Sequence, residues 1–208
     1  MRGCDCPLPT TLPDIPNSNC PFDINQIQKV VFQQDGYVFD AGSLLLAATV
    51  SALKTADDAT KIVTTPFITG NPIVTPGGAI TRGGGDNNTK NGIEIITGRN
   101  PSIFSCEFDS LSPDQERALK SVGCNTNLRA FFINEENKII ATQDGLTQAQ
   151  KDAGSHIGFP ISALFIDDRE VLGFGANDMS KMRFSLVPGW SSDIVKVTPT
   201  DYNALTDL

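Results

Sequence analysis

Short segments with the periodicity of β-strands dominate this sequence. The clearest is Ser102–Asp109, in which Phe104, Cys106 and Phe108 alternate with other residues and so lie on one face of a strand. Further segments of this kind follow one another in runs instead of alternating with helices, which favours an antiparallel sheet. They are 27–33, 61–65, 92–98, 128–133, 138–142, 157–167, 171–174, 182–187 and 194–197, with residues 128–142 forming a hairpin.

Two helices are expected beside these strands. Ser112 and Gln115 have the spacing of a capping box, and Gly123 is expected to end that helix in the left-handed conformation. Ser43 is the expected N-cap of the other helix, over 44–54. The sequence therefore predicts a mainly β (α+β) fold, an antiparallel β-sandwich or barrel flanked by one or two helices.

The 208 residues suit one compact domain, assigned to 24–208, behind an extended N-terminal arm over 1–23. Five prolines in the arm exclude a helix or a central strand there. The arm is either a tether to a neighbouring subunit or a disordered tail, and a metal site from Cys4, Cys6 and Cys20 is the third alternative. Cys4 and Cys6 are too close together for a zinc pair, and a fourth ligand is missing. Deleting 1–22 should leave a folded core and weaken oligomers.

Residues 76–92 form the most glycine-rich stretch, and the sequence predicts a long mobile Gly/Asn-rich loop there. Loops of this length are uncommon within compact domains and are often functional or become ordered on assembly. Residues 143–156 are interpreted as a polar linker.

The net charge of −8 arises from 24 acidic and 16 basic residues. A nucleic-acid-binding protein needs a basic face, and the sequence holds no cluster of Lys and Arg, so sequence-specific nucleic-acid binding is not expected. No apolar run approaches about 18 residues, so no membrane span is expected. The first residues lack the apolar stretch of a secretory signal.

Five cysteines at irregular spacing favour free thiols in a reducing compartment. Cys106 lies in a strand and Cys124 just after a helix, and both are expected to be buried.

The patterns of enzymes and ligand-binding proteins are poorly matched. The glycines at 83–85 lead into Asp86-Asn87 instead of the Lys-Ser/Thr of a P-loop. In 154–158 the serine stands one place too early for G-x-S-x-G. His156 is the single histidine, so any Ser–His–Asp triad or Cys–His pair would need it. We expect it to be an exposed or hydrogen-bonded loop residue.

Three pairs of adjacent acidic residues lie at 57–58, 135–136 and 167–168, and all are expected in turns. Residues 86–92 lack the spaced carboxylates of a calcium loop. No catalytic, cofactor-binding or metal-binding residue is therefore assigned, and no cofactor is expected.

Four segments carry a resemblance to a known family: 83–92, 112–116, 128–142, and the C-terminal pair 188–191 and 203–205. Together they resemble virion structural proteins of tailed phages of Bacteroidota, including the crAss-like group, and the order of strands, capped helix and hairpin resembles the tail-tube-type fold. That resemblance implies a small β-sandwich or barrel whose copies join their sheets into rings, without catalytic residues. The arm 1–23 and the helix at 43–54 depart from it.

The hypothesis is therefore a non-enzymatic phage virion protein that forms a homo-oligomeric ring in the tail or portal-proximal tail assembly. It would contact other virion proteins and be localised in the virion, assembled in the bacterial host cytoplasm. The alternatives are a capsid decoration or head–tail connector protein, a carbohydrate-binding β-sandwich module, and an enzyme based on His156. Trp190, in a turn, is either a lid over one end of the barrel or part of a sugar-binding surface.

Overall fold

The computed structural model describes residues 14–15, 22–85 and 89–208, and these residues form eleven strands and four helices. The arm, with Cys4, Cys6 and Cys20, lies almost wholly outside the described residues. A 3₁₀ turn at Ser43–Leu45 precedes the first helix. The helices are α1 (Ala47–Thr55), α2 (Pro113–Gly123), α3 (Gln148–Asp152) and α4 (Ala204–Asp207). The strands are β1 (Ile27–Gln34), β2 (Ile62–Thr64), β3 (Gly70–Thr75), β4 (Ala79–Arg82), β5 (Ile95–Arg99), β6 (Ser102–Asp109), β7 (Leu128–Asn134), β8 (Ile139–Thr142), β9 (Phe159–Ile166), β10 (Met179–Leu186) and β11 (Ile194–Val197).

Nine of the strands form an antiparallel sheet that branches at β7. One edge of β7 pairs with β1 along its whole length, and β1 pairs in turn with β2. The other edge pairs with β8 near Phe132 and with β9 near Leu128. One branch is β8–β11, and the four-stranded branch is β9–β10–β6–β3. The predicted mainly antiparallel β fold with flanking helices is confirmed.

The β1–β7 pair separates two hydrophobic cores. Val30, Phe32 and Phe132 belong to the first core, which packs against the four-stranded branch and α2. Val31 and Phe131 point the other way, into the second core beneath α1, the 3₁₀ turn and the C-terminal residues. The middle of each strand, residues 30–32 and 130–133, is therefore a continuous apolar run, as expected where a strand is buried on both faces. In β6 the predicted alternation is confirmed, because only one face of that strand is buried.

The helix α2 begins as predicted. The Ser112 hydroxyl accepts a hydrogen bond from the Gln115 amide, and the Gln115 side chain accepts one from the Ser112 amide. The predicted left-handed Gly123 is wrong, since this glycine is helical and Cys124 caps the helix in right-handed geometry. A Cβ on Gly123 would lie 3.3 Å from the Leu164 carbonyl oxygen. The glycine therefore permits the close approach of α2 to β9.

The predicted N-cap at Ser43 is also wrong. Leu46 is extended, so the 3₁₀ turn and α1 are separate, and α1 begins at Ala47. The Ala47 amide donates to Asp201 Oδ1 at 2.7 Å. An acceptor 154 residues away in sequence thus takes the place of a local cap.

Several boundaries on either side of these elements differ from prediction. Residues 76–92 are not one long loop, because β4 lies within them and pairs with β5 as a separate two-stranded sheet. The strand β3 contains Pro72 and was not predicted; it is an edge strand, and its register shifts between Gly70 and Ile73, where a proline is tolerated. The predicted linker 143–156 contains α3, which is capped by Thr147. The predicted strand 171–174 is a loop.

Candidate functional site

The described residues hold no group of three or more His, Cys, Asp or Glu side chains that could bind a metal. Two of the adjacent acids form surface ion pairs, Asp168 with Lys120 and Glu136 with Lys138, both at 2.6 Å. Residues 135–136 lie in the predicted turn and 57–58 in a bend, whereas 167–168 lie in a loop without a turn. Asp168 and Glu116 both contact Lys120, which neutralises them instead of leaving a pair for acid–base chemistry.

His156 is buried in the described structure, so the exposed alternative is wrong. Its ring stacks on Phe39 with 6.0 Å between ring centroids, and Nδ1 lies 3.4 Å from the Gly154 carbonyl oxygen. Nε2 is buried and has no hydrogen-bond partner within the described residues. Burial lowers the pKa of His156 below its ordinary value. No serine or cysteine of the described chain bonds to the ring, so the structure does not assemble a triad or a Cys–His pair around it.

The two cysteines in the described residues differ in exposure. Cys106 lies in the first core as predicted, and burial raises the pKa of its thiol. Cys124 is exposed, so its predicted burial is wrong. It lies just past the C-terminal end of α2, where its sulfur is 3.6 Å from the Lys120 carbonyl oxygen.

A hairpin of β4 and β5, residues 79–99, projects from the four-stranded branch. Its strands pair with each other and with no other strand of the described chain. The isoleucines at 80, 93, 95 and 96 are exposed, with Ile96 at 67%. Arg82 and Arg99 are exposed and form no ion pair within the described residues.

The loop between β9 and β10, residues 167–178, is the second apolar projection, here called the β9–β10 loop. At its tip Val171 is 73% exposed and Phe174 is fully exposed, and Leu172 between them is also exposed. Gly173 and Gly175 have φ angles of +79° and +89°, a region that favours glycine, so they shape the turn that presents Phe174.

Ion pairs hold the base of this loop against α2. Lys120 Nζ lies 2.6 Å from Asp168 Oδ1 and 2.8 Å from Glu116 Oε1, while Arg169 Nη2 lies 3.2 Å from Glu116 Oε2. The hydrogen bond to Asp168 raises the pKa of Lys120, and the one from Lys120 lowers the pKa of Asp168 and of Glu116. The apolar tip is therefore carried on a fixed base.

The two projections lie at opposite ends of the four-stranded branch. At one end of β6, Ser102 pairs with Leu186, and the hairpin connects β3 to β6 there. At the other end Asp109 pairs with Met179, where the β9–β10 loop leaves and returns. Seven residue steps of antiparallel strand span about 24 Å.

A cleft of about 490 Å³ opens at the hairpin end of the branch. Trp190 is half-buried in it, and its ring packs edge-on against Phe159 at 5.5 Å between centroids. Trp190 thus covers one end of the first core, as the lid interpretation predicted. The cleft also contains Ile24, Ile27 and Val74 as apolar lining, and Arg99 at its rim. No sequence signal located this cleft, because its lining comes from four separate segments.

No protein-family model matches the chain, and no curated protein matches it. Among solved structures, a chain of the cryo-EM structure of the anti-feeding prophage (AFP) baseplate, six-fold symmetrised, is similar to this chain. The two are 12% identical, the match covers 89% of this chain and 100% of that chain, and the TM-score is 0.32. A TM-score this low does not establish a shared fold. Within the described residues, none of the helices has the length and apolar character needed to cross a bilayer.

Proposed function

We propose that this chain is a non-enzymatic structural protein of a phage particle, whose copies associate into a ring in the tail or the portal-proximal tail assembly. The observation that carries the proposal is the exposure of apolar side chains at both ends of one rigid sheet branch. Contiguous apolar surface on a folded protein usually marks an interaction site. Four exposed isoleucines at the hairpin, and Val171, Leu172 and Phe174 at the opposite end, group exposed apolar side chains within a short stretch of chain at each end.

Open strand edges give further support to an assembly role. Within the described residues, β2, β3 and β11 each pair with one neighbour only, and unpaired edge groups can bind a strand of another chain. The resemblance of the sequence to virion structural proteins of tailed phages is consistent with this role and with partners among other virion proteins.

Within the described residues no serine or cysteine bonds to the His156 ring, and this supports a non-enzymatic role. Nε2 is enclosed and the ring contacts Phe39. The His156→Phe variant should therefore retain the assembly properties of the wild type. A hydrolytic activity lost in that folded variant would overturn this part of the proposal.

The test is the mass of the purified full chain by light scattering over a concentration series, with negative-stain images of the same fractions. Rings or stacked rings are the expected result and would give the symmetry. A monomer at every concentration, including the millimolar range, would contradict the proposed self-association.

One observation favours a second candidate function, a carbohydrate-binding module. The cleft presents Trp190 beside Asn25, Asn100 and Ser192, and a half-exposed indole with amide and hydroxyl groups is a combination that can bind a sugar ring. Titration of tryptophan fluorescence with a glycan panel tests it, because Trp190 is the one tryptophan of the chain. Saturable quenching would support the module, and none is expected for the assembly protein.

A further inference from the structure

We propose that the Phe174 tip of one copy docks into the Trp190 cleft of a second copy, so that copies join head to tail along the strand direction of the four-stranded branch. This inference rests on the proposed self-association and specifies its contact. The occupant of the cleft is thus a second copy of this chain, and the contact pairs two surfaces of different shape.

The β9–β10 loop has the form of an inserting group. Phe174 contacts no core residue, is fully exposed, and lies between two glycines with positive φ. The ion pairs from Lys120 and Arg169 hold the loop base, so little ordering of the base is needed when the tip binds. A phenylalanine side chain can bury about 150–250 Å² on binding, the largest gain available at this tip.

The cleft has the form of an acceptor for such a group. Its floor is apolar and aromatic, formed by Trp190, Ile27 and Val74, and its volume of about 490 Å³ exceeds what one phenyl ring fills. Among the described residues Phe159 is the one aromatic ring paired with Trp190, so a second aromatic contact would come from a partner. Aromatic pairs at such distances add to the apolar contact.

The cleft cannot be filled by Phe174 of its own chain. The loop and the cleft lie at opposite ends of β6, about 24 Å apart along the strands. Glu170 pairs with Met179 at the base of the loop, so only residues 171–178 lie beyond this pair, and half of such a short loop cannot reach across this distance.

Charge complementarity favours a second copy as the partner. The β9–β10 loop has four acidic residues against one arginine, a net charge of −3, and Asp167 and Asp109 at this end form no ion pair within the described residues. At the other end, the hairpin 79–99 has three basic residues against Asp86 and Glu94, a net charge of +1. Its Arg82 and Arg99 are exposed and form no ion pair within the described residues. Joining the ends of two copies brings a negatively charged loop beside a positively charged hairpin, which steers association and disfavours contact between like ends.

The consequence is a heterologous contact. Each copy offers one tip and one cleft, so a bound pair still has a free tip and a free cleft. Such contacts continue until they close into a ring, or extend as an open stack.

The test is complementation between two variants of the full chain, measured by light scattering. Phe174→Ala removes the tip and keeps the cleft, whereas Ser192→Trp fills the cleft and keeps the tip. Phe165→Ala, at another exposed phenylalanine on the outer sheet face, is the matched control. Circular dichroism establishes that each variant is folded.

Each of the two variants alone should self-associate about 10- to 100-fold more weakly than the wild type, by loss of one buried aromatic contact. An equimolar mixture of the two should form dimers and nothing larger, because one productive tip–cleft pair remains. Phe165→Ala should associate as the wild type does. If Ser192→Trp fails to fold, the self-association of Phe174→Ala compared with that of Phe165→Ala still tests the tip–cleft contact.

If the wild type associates and Phe174→Ala associates equally well, the tip–cleft contact is wrong while the proposed function stands. A mixture that remains monomeric, with both variants folded, would also overturn the contact. A wild type that stays monomeric throughout contradicts both proposals.

Discussion

The β1–β7 pair and the two ends of the four-stranded branch use the same kinds of residue for different purposes. Phe132 and Ile133 are fully buried in β7, whereas Phe174 and Ile96 are exposed at the ends of the branch. In β1 and β7, apolar side chains on both faces join two cores into one folded unit. At the ends, equally apolar side chains contribute nothing to either core. The difference shows that apolar content alone does not distinguish residues that stabilise the fold from residues available for contact with another molecule.

The largest expected effect is a loss of stability on substitution within the buried β1–β7 strand pair. Phe132→Ala should lower the free energy of unfolding by about 3–5 kcal/mol, because it removes a ring that packs against Phe104, Phe159 and Phe184 and leaves a cavity. Urea denaturation measures the loss. Phe174→Ala, the matched change at an exposed tip, should stay within about 0.5 kcal/mol of the wild type. Equal losses in the two variants would contradict the division between the regions.

The next effect is a pH dependence of stability caused by His156, whose ring stacks on Phe39 of the second core. The pKa of His156 is lowered by burial, so the unfolded chain takes up a proton near pH 6.5 while the folded chain takes it up only at lower pH. The unfolded state then binds more protons, and stability falls as the pH falls through about 6.5. His156→Phe, which keeps the ring stacked on Phe39, should remove this dependence.

Thermal unfolding at pH 7.5, 6.5 and 5.5 measures the pH dependence of stability for the wild type and for His156→Phe. This window lies above the range in which the carboxylates of lowered pKa, such as Glu116 and Asp168, become protonated. Parallel curves for the wild type and His156→Phe would show that His156 does not titrate as its burial requires.

A smaller effect on stability is expected from loss of the whole hairpin. Ala79 and Arg99 are paired, so residues 80–98 can be replaced by Asn-Gly, which suits a two-residue turn. The shortened chain should unfold within about 1 kcal/mol of the wild type, since the hairpin adds no residue to either core. Urea denaturation is again the measurement, and a molten or unfolded product would show that the hairpin belongs to the folding unit.

The smallest effect concerns thiol chemistry and involves no change in stability. Cys124 should react with a maleimide in the native protein, whereas Cys106 should react only after unfolding, because burial shields its thiol and raises its pKa. Peptide mapping by mass spectrometry reports each site separately. Rapid native labelling of Cys106 would mean that the first core opens more readily than its packing indicates.

The sequence predicted those elements whose signals are local. The capping box of α2 and the alternation in β6 depend on residues within a few positions of one another, and both are present in the structure. The strand β3 could not be predicted, because Pro72 obscures it and only its pairing with β6 defines it. The start of α1 depends on Asp201, and this contact cannot be recognised from the residues around Ala47.

The candidate site was less predictable than the fold. The apolar residues Val171, Leu172 and Phe174 are typical of a strand, yet Gly173 and Gly175 with positive φ make this segment the tip of a loop. Residues 79–82 sit in a glycine-rich setting that indicates a loop, yet they pair with β5. The presence of a pairing partner makes 79–82 a strand, and its absence within the described residues leaves 171–174 a loop. A partner distant in sequence leaves no local pattern.

The most direct test of the central claim is hydrogen–deuterium exchange of the wild-type chain at low and at high concentration. The account predicts that association slows exchange in residues 170–175 and in the cleft segment 188–192, while the amides of β1 and β7 are protected equally at both concentrations. Association without any added protection in these two segments would contradict the claim that the exposed apolar ends are the surfaces through which copies meet.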